Sequence, residues 1–222
     1  MKHNVCEKFQ KDARTPTVFG AILVTAVAMA TAGTAAAQQI TVPPNPFNTD
    51  GNTAFLVGHA EGTQGYVCLP KDGGASWTVN GARPEATLFT SIFGVDFQII
   101  THFLSPDTNP NDAAPKPLPA GNATWQSSLD TSKVWAQASD SILAGSGVSC
   151  PNAGSIACLL LTSIGSAEGP AGGKSLTQVS LIERLNTNGG SAPATGCSVT
   201  GDVGKQALVP YTADYYFFHK NK

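Results

Sequence analysis

From about residue 50 onward, short apolar or β-branched runs recur roughly every ten residues, separated by clusters of Gly, Pro, Asn and Asp. That rhythm predicts many short strands, at 54–58, 65–69, 76–79, 86–90, 97–103, 123–127, 133–137, 157–164, 176–185 and 214–219. Turn material lies between them, as in Lys71-Asp72-Gly73-Gly74, Asn80-Gly81 and Asn188-Gly189-Gly190. In the run 176–185, Leu181, Ile182 and Leu185 also fit a helical stripe, so one helix there stays open. The last run puts Tyr215 and Phe217 on one face and Tyr216 and Phe218 on the other. A strand apolar on both faces is predicted to be buried on both sides.

Composition sharpens the class. The 222 residues include 23 Gly and 15 Pro, a share that is hard to place in helices. The prediction is an all-β, antiparallel β-sandwich or barrel-like domain with long loops. Residues 1–37 read as a signal peptide: Lys2, Lys8, Lys11 and Arg14 precede an apolar stretch at 18–33, and Ala35-Ala36-Ala37 offers a cleavage site. Residues 38–53, with Pro43, Pro44 and Pro46, form an extended leading segment to a single domain at 54–222. A loop at 105–122 carries Pro106, Pro110, Pro115, Pro117 and Pro119. A formal charge of −2 gives no electrostatic footprint for nucleic acid. No run of 18 or more apolar residues follows the leader, so stable membrane insertion is not expected.

Of the five cysteines, Cys6 leaves with the leader. Cys68, Cys150, Cys158 and Cys197 are then an even set in an exported chain, which suggests two disulfides in one of three connectivities. We favour Cys150 with Cys158, closing a local loop, and Cys68 with Cys197, tying the start of the domain to its end. No C-x-x-C and no Cys/His pair at ligand spacing supports a zinc site, so no metal and no cofactor are expected.

The stretch Leu181-Ile182-Glu183-Arg184-Leu185-Asn186-Thr187-Asn188-Gly189-Gly190-Ser191-Ala192-Pro193, then Gly196-Cys197, then Val209-Pro210-Tyr211-Thr212-Ala213-Asp214-Tyr215-Tyr216-Phe217, resembles the C-terminal signature of the secreted bacterial and fungal domain of unknown function 3455. Gly65-Tyr66-Val67-Cys68, Trp77, Thr101-His102-Phe103, Thr124-Trp125 and Leu129-Asp130-Thr131-Ser132-Lys133-Val134 agree with earlier blocks of that family in order. Two features depart from it: the proline-rich loop and the loop between Cys150 and Cys158. The resemblance implies a fold class and an exported location rather than a reaction.

Candidate chemistry is sparse. The mature histidines are His59, His102 and His219, and none has a partner at metal-ligand spacing. His102 ends a strand and lies close in family order to Asp130 and Ser132, the ingredients of a hydrolytic site, although no G-x-S-x-G elbow is present. Trp125 with Asn122 and Asp130 offers an aromatic face beside short polar groups, which suits a sugar ring. Glu183-Arg184 reads as a cross-strand ion pair. Gly169-Pro170-Ala171-Gly172-Gly173-Lys174-Ser175 is one residue too short for a phosphate loop and reads as a hairpin loop. The expected role is a secreted, non-catalytic binding or envelope interaction protein, secreted or periplasmic, with a glycan as one candidate partner. The alternative is a secreted hydrolase, carbohydrate-active or esterase-like, using His102, Asp130 and Ser132.

Overall fold

Eight strands, each hydrogen-bonded to the next, close on themselves. The computed structural model describes residues 40–105 and 122–222, without the side chains of 80–84. The segment expected to be a signal peptide and most of the expected proline-rich loop at 105–122 lie outside these residues. In chain order the strands are β1 (Asn52–Lys71), β2 (Gly74–Ile92), β3 (Val95–Ser105), β4 (Asn122–Ser127), β5 (Lys133–Ile142), β6 (Cys158–Ala167), β7 (Val179–Gly189) and β8 (Gln206–Lys220). All neighbours are antiparallel, and β1 closes the ring against β8 with His59 opposite Asp214. Of the two architectures the sequence allows, the barrel forms, and closure removes the exposed strand edges that an open sheet would carry.

Ten predicted strands become eight because two pairs fuse. Residues 54–58 and 65–69 both belong to β1: the intervening His59-Ala60-Glu61 alternates exposed, buried, exposed, which is strand pattern rather than turn. Asn80-Gly81 lies within β2, at a break in its ladder. Tyr66 pairs with Val79 but Gln64 with Pro84, so residues 80–83 bulge opposite Gly65. The open question at 176–185 resolves as strand. Leu176 sits in the preceding loop, β7 begins at Val179, and the described residues contain no helix. Ile182 enters the barrel core while Leu181 and Leu185 pack outside, which is period two rather than 3.6.

β1 and β2 approach closely where small residues face inward. A Cβ on Gly62 would fall 2.1 Å from the Glu85 carbonyl oxygen and 2.6 Å from the Ala86 Cβ, so only glycine fits there. The interior has a filled end and a hollow end. Leu88, Ile100, Val134, Leu176, Ile182 and Phe217 fill the first, each essentially without solvent contact. Burial of side chains this size stabilises the fold by about 2–3 kcal/mol each. Leu176, from the loop between β6 and β7, contributes to that end from outside the strands.

Both faces of β8 are buried, as its sequence predicts: Tyr215 and Phe217 point into the barrel, and Tyr216 and Phe218 point outward. The outward pair is covered by Phe47, with Ile40 and Val42, and by the Cys150–Cys158 bridge. The leading segment is therefore a strap across the barrel wall. The second bridge joins Cys68 to Cys197 across 129 residues. In the chain-entropy account a loop of that length restricts the unfolded chain by about 4–5 kcal/mol.

The β2–β3 hairpin turns on Phe93-Gly94, both at positive φ (53° and 78°), between the paired Ile92 and Val95. Two central residues at positive φ are what a type I′ turn demands, and Asn-Gly is its preferred pair. Phe93 is fully exposed, so its ring offsets none of that backbone cost. Phe93→Asn is expected to stabilise the protein by about 0.5–1 kcal/mol, read as a higher midpoint in thermal or urea unfolding. An unchanged or lower midpoint would contradict this account of the turn.

Candidate ligand site

The hollow end of the barrel holds a cavity of about 610 Å³. β1, β3, β5 and β7 run towards it, and it is lined by their later residues, by the beginnings of β4 and β6 and by Tyr215 of β8, with Gln64, Leu104, Gln137, Ala157 and Ser191 among the lining. Ser191 and Ala192 come from the loop after β7, which Cys197 ties to Cys68 on β1. The same loop is pinned by Trp77 Nε1 donating to the Thr195 carbonyl (3.0 Å) and by Gly204 N donating to the Cys68 carbonyl (2.9 Å).

The wall of the cavity is aromatic on one side. His102 on β3 and Trp125 on β4 are register partners whose side chains both enter the barrel, and their rings stack at 4.1 Å and 10°. Tyr215 packs against both at tilted angles. Tyr66 donates its hydroxyl to the Gly190 carbonyl (2.7 Å), and the Tyr211 and Tyr215 hydroxyls are hydrogen-bonded to each other. Burial pushes the His102 imidazole down to about 4, so the ring is neutral at physiological pH. Its Nδ1 lies 2.9 Å from the Thr124 carbonyl, and a carbonyl only accepts; this assigns the proton to Nδ1 and leaves Nε2 as an acceptor.

Of the residues singled out in the sequence, Asn122, Trp125 and His102 line this cavity together. Asp130 and Ser132 do not line it. They occupy the β4–β5 turn, where Ser132 Oγ donates to Asp130 Oδ1 (2.7 Å) and accepts from Leu176 N (3.0 Å). The other carboxylate oxygen of Asp130 receives Ser175 N (2.8 Å) and Ser175 Oγ (2.7 Å). Burial alone would raise the Asp130 carboxyl, but the hydrogen bonds from Ser175 and Ser132 together hold it well below the usual carboxylate range. The glycine-rich loop that falls short of a phosphate loop thus wraps an internal carboxylate: a Cβ on Gly173 would meet Asp130 Cβ at 2.5 Å. This arrangement fastens the loop bearing Leu176 to the filled end.

Sequence reasoning missed Arg184. The Glu183-Arg184 doublet reads as part of a cross-strand ion pair, but adjacent strand residues point to opposite sides. Arg184 enters the cavity, where its Nη2 donates to the Ala157 carbonyl (2.8 Å). Glu183 points outward beneath the strap and accepts from Asn45 Nδ2 (3.2 Å). Their cross-strand neighbours on β8 are Tyr215 and Tyr216, not charges, so the expected ion pair does not form. The usable signal was the alternation itself, since Ile182 fixes the inward face and Arg184 shares it. Asn122, within an Asn-x-Thr glycosylation acceptor pattern, is only 3% exposed, so the folded barrel hides it from such modification.

An eight-stranded, up-and-down antiparallel barrel with an internal pocket at one end is the class that this geometry defines. Residues 49–219 match the family model described as Protein of unknown function (DUF3455), and the chain belongs to that family. No curated protein and no solved structure matches the chain. Among the described residues no helix is long and apolar enough to cross a membrane, and no group of His, Cys, Asp and Glu is placed to hold a metal ion.

Burial raises the Glu183 carboxyl to about 7, against the weaker opposing effect of the Asn45 hydrogen bond. A raised acid stabilises the fold fully below its unfolded value, near 4.5, and that contribution is lost as pH rises through 7. His102, lowered to about 4, works in the opposite direction between pH 4 and 6.5, so a comparison of two proteins isolates the carboxyl. Glu183→Gln should gain on the parent by on the order of 2–3 kcal/mol between pH 5 and pH 8, measured by urea unfolding at each pH. A constant difference across that range would contradict a buried, protonated Glu183.

Proposed function

We propose that this protein binds a small organic molecule inside its barrel and does no chemistry on it, and that it acts in an oxidising compartment outside the cytoplasm. The carrying observation is the cavity of about 610 Å³, within the range of about 300–1,000 Å³ typical of small-molecule sites. Eight strands give a ring just wide enough either to be filled by side chains or to hold one small ligand. Here one end is filled and the other is not. Leu104, Ala123, Ala136, Ile156 and Leu159 make most of the lining away from the aromatic wall apolar. An apolar body fits that lining better than a sugar, because the Trp125 ring is buried and stacked on His102. The hydrolase alternative draws no support from the side chains it would use. His102 Nδ1 is engaged by a backbone carbonyl, while Asp130 and Ser132 satisfy each other and the loop beside them. Two disulfides, Cys68–Cys197 and Cys150–Cys158, support the compartment.

The test is fluorescence titration of the oxidised protein with Nile red, a neutral solvatochromic dye. Saturable one-to-one binding with blue-shifted emission is expected. Ala123→Phe, which fills space beside Trp125, should weaken it by about tenfold or more, or roughly 1.4 kcal/mol. Phe93→Asn, at the exposed hairpin far from the cavity lining, should leave it unchanged. Binding that survives Ala123→Phe in a protein with a native melting curve, or that disappears in Phe93→Asn, would overturn an interior site.

A further inference from the structure

Among the described residues the ion pairs are His59 with Asp214, Lys174 with Glu168 and Lys205 with Asp202, and none involves Arg184. Its guanidinium stands in the cavity with one hydrogen bond, Nη2 to the Ala157 carbonyl, while its Nε is buried without an acceptor. Two further donors on the lining share that condition. Asn122 Nδ2 and Trp125 Nε1 are buried without partners, in side chains 3% and 1% exposed. Among the described residues, every unsatisfied buried side-chain polar atom on this lining is therefore a donor, and one belongs to a permanent cation. Leaving such groups dry costs free energy that an occupant with acceptor oxygens would offset.

From this, and resting on the cavity reading above, we infer that the barrel selects a monocarboxylate: an apolar body among the alanine, leucine and isoleucine side chains, with its carboxylate received by Arg184. The planar fork of a guanidinium matches the two oxygens of a carboxylate. Among the described residues Arg184 is the one Lys or Arg side chain lining the cavity, so a single negative charge balances it, whereas a phosphate dianion would leave charge uncompensated. Asn122 Nδ2 and Trp125 Nε1 remain for any carbonyl or ether oxygen further along the ligand.

The test compares two fluorescent probes, 11-(dansylamino)undecanoate and its methyl ester, on the oxidised protein at pH 7.5. The acid should bind about ten- to a hundredfold more tightly than the ester, the range of one charge-assisted hydrogen-bonded contact. Arg184→Gln should bring the acid's affinity down to that of the ester, and Arg184→Lys should retain part of the preference. Equal binding of acid and ester by the parent protein, or an acid preference that persists in Arg184→Gln, overturns carboxylate selection while leaving the cavity reading intact. If neither probe binds, the cavity reading itself fails, and this inference with it. Should Arg184→Gln lose its native melting transition, the acid-to-ester ratio in the parent and in Arg184→Lys decides the matter.

Discussion

Closure of the ring through β1 and β8 is the constraint on which the rest of the molecule depends. Once β8 is hydrogen-bonded to both β7 and β1, every strand has a fixed inner and outer face, and the width of the interior follows from the number of strands. A one-residue slip in any ladder would exchange the two faces. Tyr215, Arg184, His102 and Trp125 all meet inside because each stands on the inner face of its own strand. The outer face of β8 is apolar too, and the strap carrying Phe47 covers it together with the Cys150–Cys158 loop. Two cores, one inside the ring and one outside, thus share a single wall.

That wall divides two kinds of polar burial. Among the described residues, buried polar side chains outside and at the filled end have partners with the one exception of Trp135 Nε1: Glu183 has Asn45, Ser132 has Asp130 and the Leu176 amide, and Thr187 donates to the Ile156 carbonyl. At the hollow end donors are left unmatched. Unsatisfied buried groups are rare in folded proteins and concentrate where a ligand or water completes them. Three such donors gathered on one lining, against one elsewhere among the described residues, add to the functional reading that the cavity of the hollow end carries.

Much of the architecture was legible in the sequence. The spacing of Gly and Pro, the two-faced aromatic run at Tyr215 to Phe218 and the even cysteine set lead to an antiparallel β domain with the two bridges found. The extent of strands was less so. His59 and Glu61 look like turn residues until their outward position beside inward Ala60 is known. Asn80-Gly81 carries the composition of a turn but falls at a bulge. The site was half legible, since His102, Trp125 and Asn122 were noticed for other reasons. Order along the chain groups Asp130 and Ser132 with them, whereas the barrel carries these two to the β4–β5 turn. Arg184 was hidden by its neighbour Glu183, because proximity in sequence suggests pairing and strand geometry forbids it.

The central claim, that the interior of the barrel is a binding site, is tested most directly by the three tryptophan indole N–H signals in a ¹⁵N-labelled sample. Trp125 Nε1 is buried and unpartnered on the cavity lining, Trp77 Nε1 is bonded to Thr195, and Trp135 lies off the lining. Addition of a cavity ligand such as 11-(dansylamino)undecanoate should shift the Trp125 signal strongly and saturably and leave that of Trp135 in place. Saturable binding that leaves the Trp125 signal unmoved would contradict the account.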